Sequence, residues 1–386
     1  MGEQIRVLQV SKSTGGIGQY LRSLVYGLNK ERFRVTVACL SEGSEQLAAE
    51  FSKVDKVDAF SLQMDRYKIN LITDVRVWWS LARLVRRERF DVIHAHGSKP
   101  GFLARMSAVG TGIPTIYCPA CFSFHDGVAK WKAVFYALIE RVAAAWFTDR
   151  IIAVCNDEKL LARRYSVGKD TLFTVVYNGV NPTEFKRESD RTSVRKSLHI
   201  PEDVFLVGTV ARLSKQKAPF DFVNAAAKVH KNFPEVQFVW VGDGELDTET
   251  KELIRSHNIE NVFHLLGYRK DVPDLLNAMD CFVLASHWEG FSISVLEAMA
   301  AELPVIASRV SGAAEAVVDG ETGLLVPIGD PMALARAIER LASNPSDAKR
   351  FGEAGRKRVE EKFTLNQMIR EIETVYDEIV AGKNNN

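Results

Sequence analysis

Short apolar runs bounded by turn residues alternate along the chain with longer amphipathic segments, a pattern typical of βαβ units around a parallel sheet. In the first half, the pattern predicts strands near residues 5–10, 34–40, 91–94, 113–117 and 151–154. Helices are predicted between them, near residues 18–29, 69–87, 130–147 and 156–165. This half of the chain is therefore predicted to fold as one α/β domain.

A polar segment interrupts the alternation after Tyr177. It runs from Asn178 through a charged stretch to Pro201, a composition typical of an interdomain linker. Further strands are predicted near residues 204–210, 236–241, 262–265, 281–284 and 304–307, with helices near 219–231, 247–257, 271–278 and 292–301. Beyond Val326 the apolar positions have helical spacing. We therefore predict two α/β domains, residues 1–180 and 203–364.

Composition narrows the class of protein. The 386 residues are 46% hydrophobic and 26% charged, with a net charge of +1, so no general electrostatic attraction to nucleic acid is expected. The start of the chain resembles a first strand rather than a signal peptide, and no segment is long and apolar enough to span a membrane. The five cysteines form no disulfide framework for a chain of this length. A cytoplasmic location is the expectation.

Ligands in open α/β folds bind at the carboxyl ends of the strands, so chemistry-bearing residues are sought there. Gly15 and Gly16 follow the first strand and open a helix, where backbone amides without a neighbouring Cβ could face an anion. The full G-x-G-x-x-G spacing is absent, and glycines at such turns also serve packing. A phosphate-binding role and a packing role both stay open.

Two other N-terminal motifs follow strands. The stretch Asp91–Lys99 carries His94 and His96 on the same side of a strand, with His96 and Lys99 near its carboxyl end. Two histidines without a further ligand are weak grounds for a metal, so a substrate-facing or hydrogen-bonded histidine is favoured. Cys118 and Cys121 form a C-x-x-C, which can be redox-active or bind zinc. Zinc needs two further ligands, and a thioredoxin-like role needs a small single domain that this chain does not resemble, so a loop that carries two thiols is the preferred interpretation.

The second domain opens with a basic turn. Arg212 and Lys217 follow its first strand and are expected to project into the crevice, where a guanidinium and an ammonium can neutralise a diphosphate in place of Mg²⁺. A solvated basic turn is the alternative, and it is most serious for Lys215. No metal ion is predicted.

A carboxylate pair follows a later strand. Glu289 closes a loop at the strand end, and Glu297 lies eight residues further on, on the next helix. Carboxylates accept hydrogen bonds from sugar or ribose hydroxyls, and the amides of Gly290 and of the helix start can hold a phosphate. The spacing therefore suits the two ends of a nucleotide-sugar, with a surface helix that carries incidental glutamates as the alternative.

Together with 241–244, 266–268 and 319–326, these residues resemble the family 4 retaining glycosyltransferases. The likeness covers nearly the whole chain and is strongest from about 205 to 362. The resemblance implies the GT-B fold: two Rossmann-like domains with parallel sheets facing a central cleft, and a last helix, residues 365–380, that crosses back to the N-terminal domain. The Gly15-Gly16 loop and residues 93–101 resemble the branch that builds bacterial capsular polysaccharide, exopolysaccharide and lipopolysaccharide.

The resemblance also implies the site. The C-terminal domain would bind a nucleoside-diphosphate sugar, with Arg212 and Lys217 on the diphosphate, Glu297 on the ribose and Glu289 on the donor sugar, while the N-terminal domain would bind the acceptor. Gly16 would approach the diphosphate from across the cleft. The full set of substrate-binding candidates is Gly15, Gly16, His96, Lys99, Gly242, Gly267, Tyr268, Gly290, Phe291, Ser292, Ile293, Ser294 and Glu297.

One departure from the family stands out. Members of this branch carry a histidine followed by glycine after the strand that corresponds to 115–117, and Ala120 occupies that histidine's place here. An alanine side chain neither donates nor accepts a hydrogen bond. Either His125 takes over the role, or activity is reduced or lost.

The resemblance implies a retaining, metal-independent hexosyl- or N-acetylhexosaminyltransferase that uses no cofactor. Its acceptor would be a hydroxyl of a growing or lipid-linked saccharide. The alternatives are a GT-B epimerase or hydrolase and a non-catalytic subunit that binds a sugar nucleotide. Residues 77–89 combine two tryptophans with four arginines at helical spacing, which could rest on anionic headgroups at the inner face of the plasma membrane. A core-facing helix with a charged outer face explains the same pattern.

Overall fold

The computed structural model describes residues 4–12, 15–41, 43–65, 70–185 and 190–384. Ile69, the predicted start of one helix, and the polar residues 186–189 of the predicted linker lie outside these ranges. The chain divides into two compact units, one formed by Met1–Tyr177 with Leu365–Asn386 and the other by Asn178–Thr364.

The N-terminal unit is built on a seven-stranded sheet with the strand order β3-β2-β1-β4-β5-β6-β7, in which every recorded pairing is parallel. The strands are β1 (Ile5–Ser11), β2 (Phe33–Leu40), β3 (Val57–Leu62), β4 (Val92–His96), β5 (Thr115–Cys118), β6 (Arg150–Ala153) and β7 (Phe173–Val175). All five residues of β4 are buried, as expected of a strand covered on both faces.

The described residues of this unit form seven α-helices. They are α1 (Gly15–Gly27), α2 (Glu45–Phe51), α3 (Leu71–Arg87), α4 (Ser98–Ser107), α5 (Lys130–Trp146), α6 (Asn156–Arg164) and α15 (Leu365–Asn384), and a short 3-10 helix spans Asp170–Leu172. From β1 to β3, each new strand is added on one side of the previous one. From β3 the chain returns to the other side of β1, and β4 to β7 are added in the opposite direction. Because such crossovers are right-handed, α1 and α2 lie on one face of the sheet and α3 to α6 on the other.

The C-terminal unit has a six-stranded sheet with the order β10-β9-β8-β11-β12-β13, again paired in parallel. Its strands are β8 (Leu206–Val210), β9 (Gln237–Val241), β10 (Phe263–Gly267), β11 (Cys281–Leu284), β12 (Val305–Ser308) and β13 (Gly323–Val326). Its helices are α7 (Arg191–Ser197), α8 (Pro219–Asn232), α9 (Asp247–Ser256), α10 (Val272–Ala278), α11 (Ile293–Ala300), α12 (Ser311–Ala316), α13 (Pro331–Ser343) and α14 (Pro345–Lys362), with short 3-10 helices at Pro182–Phe185 and Lys215–Lys217.

Local sequence explains where several helices begin. The carboxylate of Asp330 accepts hydrogen bonds from the backbone N–H groups of Met332 and Ala333 at 3.0 and 2.9 Å, and Pro331 occupies the first helical position of α13. Asn70 caps α3 by accepting from the N–H of Thr73 at 3.3 Å. These contacts satisfy amides that a helix start otherwise leaves without partners.

The alternation of strands and helices is present as predicted, but several short elements were not predicted. They are β3, β7, β13, α2, α4, α7 and α12. In α4, Pro100 lies in the first turn, where a proline has no intrahelical N–H bond to lose. Most of the others have four to seven residues, too few for a periodicity to show.

The chain returns to the N-terminal unit at its end, since α15 belongs to that unit and contacts α1 and β4. This matches the expected return of the last helix. Within the described part of the chain, no helix combines the length and the apolar character needed to cross a bilayer.

Candidate functional site

The turns that carry the candidate residues of the C-terminal unit lie side by side at one edge of its sheet. Arg212 follows β8, Gly242 follows β9, Gly267 ends β10 and Glu289 follows β11. The strand order β10-β9-β8-β11 makes these four strands neighbours. Because parallel strands have their carboxyl ends at the same edge, the structure brings these turns together.

Lys217 and Glu289, 72 positions apart, form an ion pair with Nζ 2.5 Å from Oε1. Their side chains are only 18% and 6% exposed, so the pair is largely shielded from water, where a charge-assisted hydrogen bond is stronger. An ammonium has three N–H donors. Lys217 can therefore hold Glu289 and still donate to a phosphate or sugar oxygen.

The two loops that carry this pair are joined through Gln216. The N–H of His287 donates to the carbonyl of Gln216 at 2.9 Å, and Gln216 Nε2 donates to the carbonyl of Trp288 at 3.0 Å. His287 Nε2 also lies 2.7 Å from Asp221 Oδ2 on α8. Sequence reasoning missed Gln216, His287 and Asp221, because nothing in their local sequence distinguishes them from surface residues.

Arg212 lies in a more open position. Its guanidinium is 2.9 Å from Glu245, and the two side chains are 35% and 51% exposed. Ion pairs this exposed contribute roughly 0–1 kcal/mol, so an anionic ligand can compete with Glu245 for the guanidinium at little cost. Arg212 is thus placed to exchange a carboxylate for a phosphate.

Two glycines fix the backbone that carries Arg212. A Cβ at Gly242, whose φ is +133°, would lie 2.1 Å from the carbonyl oxygen of Ala211, and one at Gly244 would lie 2.2 Å from that of Leu213. The turn after β9 therefore packs directly on the turn after β8. The structure gives Gly242 this packing role, and its predicted contact with substrate stays a prediction.

Gly267 and Tyr268 complete this edge. The N–H of Gly242 donates to the carbonyl of Gly267 at 2.8 Å, and Gly267 has a φ of +65°. Tyr268 is exposed. Their predicted contacts with substrate stay predictions.

The start of α11 presents backbone amides at the same edge. Ser292 occupies the N-cap without a side-chain hydrogen bond to the helix, and its hydroxyl lies 3.2 Å from that of Ser294. The amides of Ile293 and Ser294 thus begin a helix whose positive dipole end suits an anion.

The chain immediately before α11 is held from two sides. A Cβ at Gly312 would lie 1.9 Å from the carbonyl oxygen of Gly290, so α12 begins in backbone contact with it. Asn178 Nδ2 donates to the carbonyl of Phe291 at 2.6 Å, and Phe291 is buried against Phe363. These contacts position the segment 290–294. Asn178 was not expected at the site, because it lies in the predicted linker.

Glu297 lies on α11, partly buried. Burial raises the pKa of its carboxyl to about 7, and the carboxylate of Glu184 acts in the same direction. Glu184 lies on the 3-10 helix Pro182–Phe185, which packs against α11. Near neutral pH the Glu297 carboxyl is therefore a mixture of protonated and ionised forms, and the protonated form can donate as well as accept a hydrogen bond. Glu184 was missed because it also falls in the predicted linker.

The segment 319–326, part of the family resemblance, forms a structural turn. Asp319 Oδ1 accepts from the N–H of Leu325 at 2.9 Å, and Thr322 Oγ1 accepts from the N–H of Val318 at 2.8 Å. A Cβ at Gly323 would lie 2.2 Å from the carbonyl oxygen of Val305. These residues close the turn that leads into β13.

In the N-terminal unit, Gly15 and Gly16 lie at the start of α1. Gly15 has a φ of +67°, and a Cβ at Gly16 would have no heavy atom within 4 Å. The backbone is therefore accessible at the position where the sequence predicted an anion, although Thr14, which precedes it, lies outside the described residues. Gly97, with a φ of +74°, begins α4 nearby, and its Cβ position lies 3.2 Å from Ile17.

His94 and His96 point to the same side of β4, as predicted, with ring centroids 4.1 Å apart. His96 Nε2 lies 2.7 Å from Gln9 Oε1, Gln9 Nε2 donates to Tyr376 Oη at 2.8 Å, and Tyr376 Oη lies 2.7 Å from His94 Nδ1. A consistent assignment has His96 Nε2–H donating to Gln9 and the Tyr376 hydroxyl donating to His94.

This network is inside the unit rather than on its surface. His96 is 1% exposed, and burial lowers its pKa to about 3, so the ring is neutral at physiological pH. The sequence favoured a substrate-facing or hydrogen-bonded histidine, and the structure buries His96 against Tyr20 and hydrogen-bonds it to Gln9, which in turn donates to Tyr376 of α15. A substrate atom could reach it only if these side chains moved.

Lys99 also has partners within the unit. Its Nζ lies 2.7 Å from Asp74 of α3 and donates to the carbonyl of Asp65 at 3.1 Å. The predicted contact with substrate would require it to leave this pair.

The loop after β5 carries Ala120, which has a φ of +57° in the left-handed region. Histidine is among the residue types enriched there, so this backbone would accommodate the histidine expected from the family. His125, five positions on, is half-buried, and burial lowers its pKa. Its Nδ1 accepts from the N–H of Gly127 at 3.1 Å.

The C-x-x-C motif has the features of two ordinary thiols. Cys118 is fully buried, and burial, with a smaller effect of the Glu158 carboxyl, raises its pKa well above the usual value, which disfavours the reactive thiolate. Among the residues described, no group of three or more His, Cys, Asp or Glu side chains is arranged to hold a metal ion.

Comparison with known proteins places this arrangement in a family. Residues 190–358 match the family described as Glycosyl transferases group 1, and residues 15–179 match the Glycosyl transferase 4-like domain. The chain is 30% identical to the N-acetyl-alpha-D-glucosaminyl L-malate synthase of Bacillus anthracis, over 81% of each protein. The chain belongs to the glycosyl transferase group 1 family.

Other relatives of this glycosyltransferase are also bacterial glycosyltransferases. It is 29% identical, over 92% of both chains, to the UDP-Gal:alpha-D-GlcNAc-diphosphoundecaprenol alpha-1,3-galactosyltransferase of Escherichia coli. It is 28% identical to the capsular polysaccharide biosynthesis glycosyltransferase CapM of Staphylococcus aureus, over 85% of this chain and 87% of that one. The predicted resemblance to the bacterial capsular and lipopolysaccharide branch of family 4 is confirmed.

Solved structures agree with the fold of the glycosyltransferase. The sucrose-phosphate synthase of Thermosynechococcus elongatus matches it with a TM-score of 0.85 at 22% identity, covering 98% of this chain and 100% of that one. This likeness bears on the fold alone, and the predicted GT-B fold is confirmed.

Proposed function

We propose that this glycosyltransferase moves a hexosyl or N-acetylhexosaminyl group from a nucleoside-diphosphate sugar to a hydroxyl of a saccharide or lipid-linked saccharide. Transfer retains the anomeric configuration and needs no divalent metal. The observation that carries the proposal is the shielded Lys217–Glu289 pair, at the sheet edge that also carries Arg212 and the start of α11.

The cations of the site account for metal independence in this proposal. As the bond between the anomeric carbon and the phosphate oxygen breaks, negative charge develops on the diphosphate, and Arg212, Lys217 and the first amides of α11 stabilise it. This is the task that Mg²⁺ performs in many enzymes that use phosphate esters.

The acceptor hydroxyl attacks the anomeric carbon from the face that the diphosphate leaves. The new C–O bond forms as the old one breaks, and the departing phosphate oxygen takes the hydroxyl proton, so atoms and charge balance without a protein base. Glu289 orients the donor sugar through its hydroxyls, and Glu297 holds the ribose. Ala120 is compatible with this route, because a histidine at that position would orient the sugar rather than accept the proton.

The name of the Escherichia coli relative, with UDP-Gal as donor and a diphosphoundecaprenol-linked acceptor, supports a uridine nucleotide and a lipid-linked acceptor here. A lipid-linked acceptor supports a cytoplasmic location for the enzyme, at the inner face of the plasma membrane. Contact with an anionic bilayer through α3 fits the exposed Trp79, whose ring is stacked against Arg83 at 3.7 Å.

The test measures transfer and UDP binding in excess EDTA for wild type, Arg212→Met and Lys215→Met. Lys215 lies in the same turn but is exposed, so it is the matched control. We expect wild type and Lys215→Met to bind UDP and turn over in EDTA, and Arg212→Met to lose about 10²–10³-fold in kcat, the usual effect of removing one charge-stabilising donor. Loss of wild-type activity in EDTA that Mg²⁺ restores would contradict metal independence.

Donor consumption in a single turnover, with and without acceptor, addresses the alternatives. A transferase consumes the donor only with acceptor, whereas an epimerase or hydrolase consumes it alone and a binding subunit consumes none.

A further inference from the structure

One helix of the N-terminal unit exposes an apolar face that neither the packing of the unit nor the proposed chemistry explains. On α5, one stripe of large apolar side chains is exposed: Trp131, Val134, Phe135, Leu138, Val142 and Trp146. Their spacing of three and four positions puts them on one side of the helix. The opposite side, with Ala133, Ala137 and Ala144, packs into the core. We call the exposed stripe the α5 face.

The size of the α5 face sets it apart from scattered surface residues. The two terminal tryptophans are 69% and 79% exposed, and fifteen helical steps separate them by about 22 Å. A contiguous exposed apolar surface of this length marks a binding surface rather than ordinary surface variation.

The exposed charges on α5 itself are positive. Lys130, Lys132 and Arg141 are exposed on α5, and Lys132 lies over the Trp131 ring at 5.3 Å from its centroid. The helix has one acidic residue, Glu140, which is buried and paired with Arg105 at 2.9 Å. The exposed surface of α5 therefore combines apolar side chains with cations and carries no exposed carboxylate.

A second helix on the same side of the sheet repeats this combination. In α3, Leu71, Ile72, Val75 and Trp79 are exposed, and the exposed charges are Arg76, Arg83, Arg86 and Arg87. Its acidic residue, Asp74, is buried and paired with Lys99. The right-handed crossovers put α3 and α5 on one face of the sheet, and α4, which has no exposed residue, contacts α3 and is joined to α5 by the Arg105–Glu140 ion pair.

We propose that the α5 face docks onto a bilayer that contains anionic lipid, with the exposed side of α3 as a second contact. The exposed sides of α5 and α3 form two ridges on one side of the sheet, which match a flat surface. The apolar stripe enters the boundary between headgroups and acyl chains, and the lysines meet lipid phosphates. Tryptophans at both ends suit the interface, because their rings are amphipathic. Docking itself is inferred from the exposed residues alone. Only its purpose rests on the proposed function: docking would hold the enzyme at the membrane that carries a lipid-linked acceptor.

The experiment is vesicle flotation with three proteins. They are wild type, Phe135→Ser/Leu138→Ser on the α5 face, and Ile328→Ser/Met332→Ser as the control, since these two apolar residues are equally exposed but belong to the C-terminal unit. Vesicles contain phosphatidylcholine alone or with phosphatidylglycerol. We expect wild type and control to float with the anionic vesicles, the α5 variant to bind at least tenfold more weakly, and all three to unfold at the same temperature because only exposed side chains change.

A charge variant tests whether the lysines of α5 contribute to binding by meeting lipid phosphates. Lys130→Gln/Lys132→Gln is expected to weaken binding to anionic vesicles by about fivefold per lysine and to reduce its salt dependence. Transfer to a short water-soluble acceptor is the independent readout of the chemistry. It should be equal in all variants, so a failure of docking is distinguishable from a failure of the proposed function.

Three outcomes would overturn the proposal. Equal flotation of wild type and the α5 variant would remove the α5 face from the contact. Loss of binding in Arg83→Ala/Arg86→Ala/Arg87→Ala alone would assign docking to α3 only. A wild-type dimer that Phe135→Ser/Leu138→Ser converts to a monomer, without vesicle binding by either, would make the face a subunit interface.

Discussion

The Lys217–Glu289 pair allows structure and catalysis to be separated by mutation. Lys217→Met leaves a carboxylate that is 6% exposed without the ammonium 2.5 Å away. Removal of one partner from a buried pair costs roughly 3–5 kcal/mol. Because the Lys217 side chain retains 18% exposure, so that the pair is not fully buried, we expect a cost of about 2–3 kcal/mol. For a unit of this size that corresponds to a fall of about 4–12 °C in Tm.

The double variant Lys217→Met/Glu289→Gln removes both charges together. Replacing a whole buried pair by neutral groups is often close to neutral for stability, so we expect it to recover to within about 1 kcal/mol of wild type. Activity should not recover, because the cation that we propose to stabilise the leaving diphosphate is still missing, and a loss of about 10²–10³-fold is expected in both variants.

Scanning calorimetry gives the stabilities, and initial rates with saturating donor give kcat. Lys215→Met is the matched control and should change the free energy of unfolding by less than about 0.5 kcal/mol. An unchanged Tm for Lys217→Met would show that the pair is not shielded as described. A double variant as unstable as the single one, or one with wild-type kcat, would refute the reasoning.

Three further predictions concern single residues. Ala120→His should raise turnover, because the loop already has the left-handed backbone that histidine tolerates; an unchanged or lower kcat would mean that the alignment of this loop is wrong. Since the folded-state pKa of Glu297 is raised to about 7, the native state binds the proton more tightly and stability should fall as pH rises from about 4.5 to 7. Denaturant titration should show that Glu297→Gln lacks this loss, with a difference on the order of 2 kcal/mol at pH 8, whereas parallel pH profiles would contradict the assignment. Gly312→Ala should unfold at least about 2 kcal/mol more easily, because its Cβ would lie 1.9 Å from the carbonyl of Gly290; a wild-type Tm would disprove the close contact.

The fold was largely predictable because long, strongly periodic segments set its frame. The strand near 5–10 and the helix near 130–147 were located within a few residues, since their patterns leave few alternatives. Short elements were not predicted. The strand Val57–Leu62 carries the polar residues Asp58 and Ser61 and has one buried residue, at its start, so its sequence has no clear strand pattern. Its pairing with β2 is visible only in the structure.

The site residues were likewise predictable only in part. Arg212 and Glu289 could be predicted because both follow strands, and topology places strand ends at one edge. The contacts that hold the loops, through Gln216 and Asn178, join segments more than 70 positions apart and have no local signature. The burial of His96 was unpredictable for the same reason, since Tyr376 comes from a helix near the end of the chain.

The α5 face could not have been found from the sequence pattern. The tryptophans and arginines of 77–89 drew attention because they are unusual in sequence, whereas α5 has the apolar content of an ordinary core helix. Only the structure shows that Phe135 and Leu138 lie on the exposed side and Ala137 on the buried side.

The anomeric configuration of the first product tests the central claim most directly. Proton NMR of a single turnover, started with an α-linked nucleoside-diphosphate sugar in excess EDTA, reports the configuration before any later exchange. We predict an α-linked product at an undiminished rate. A β-linked product would contradict retention of the anomeric configuration. No product until a divalent metal is added would contradict the assignment of Arg212 and Lys217 as the groups that stabilise the leaving diphosphate.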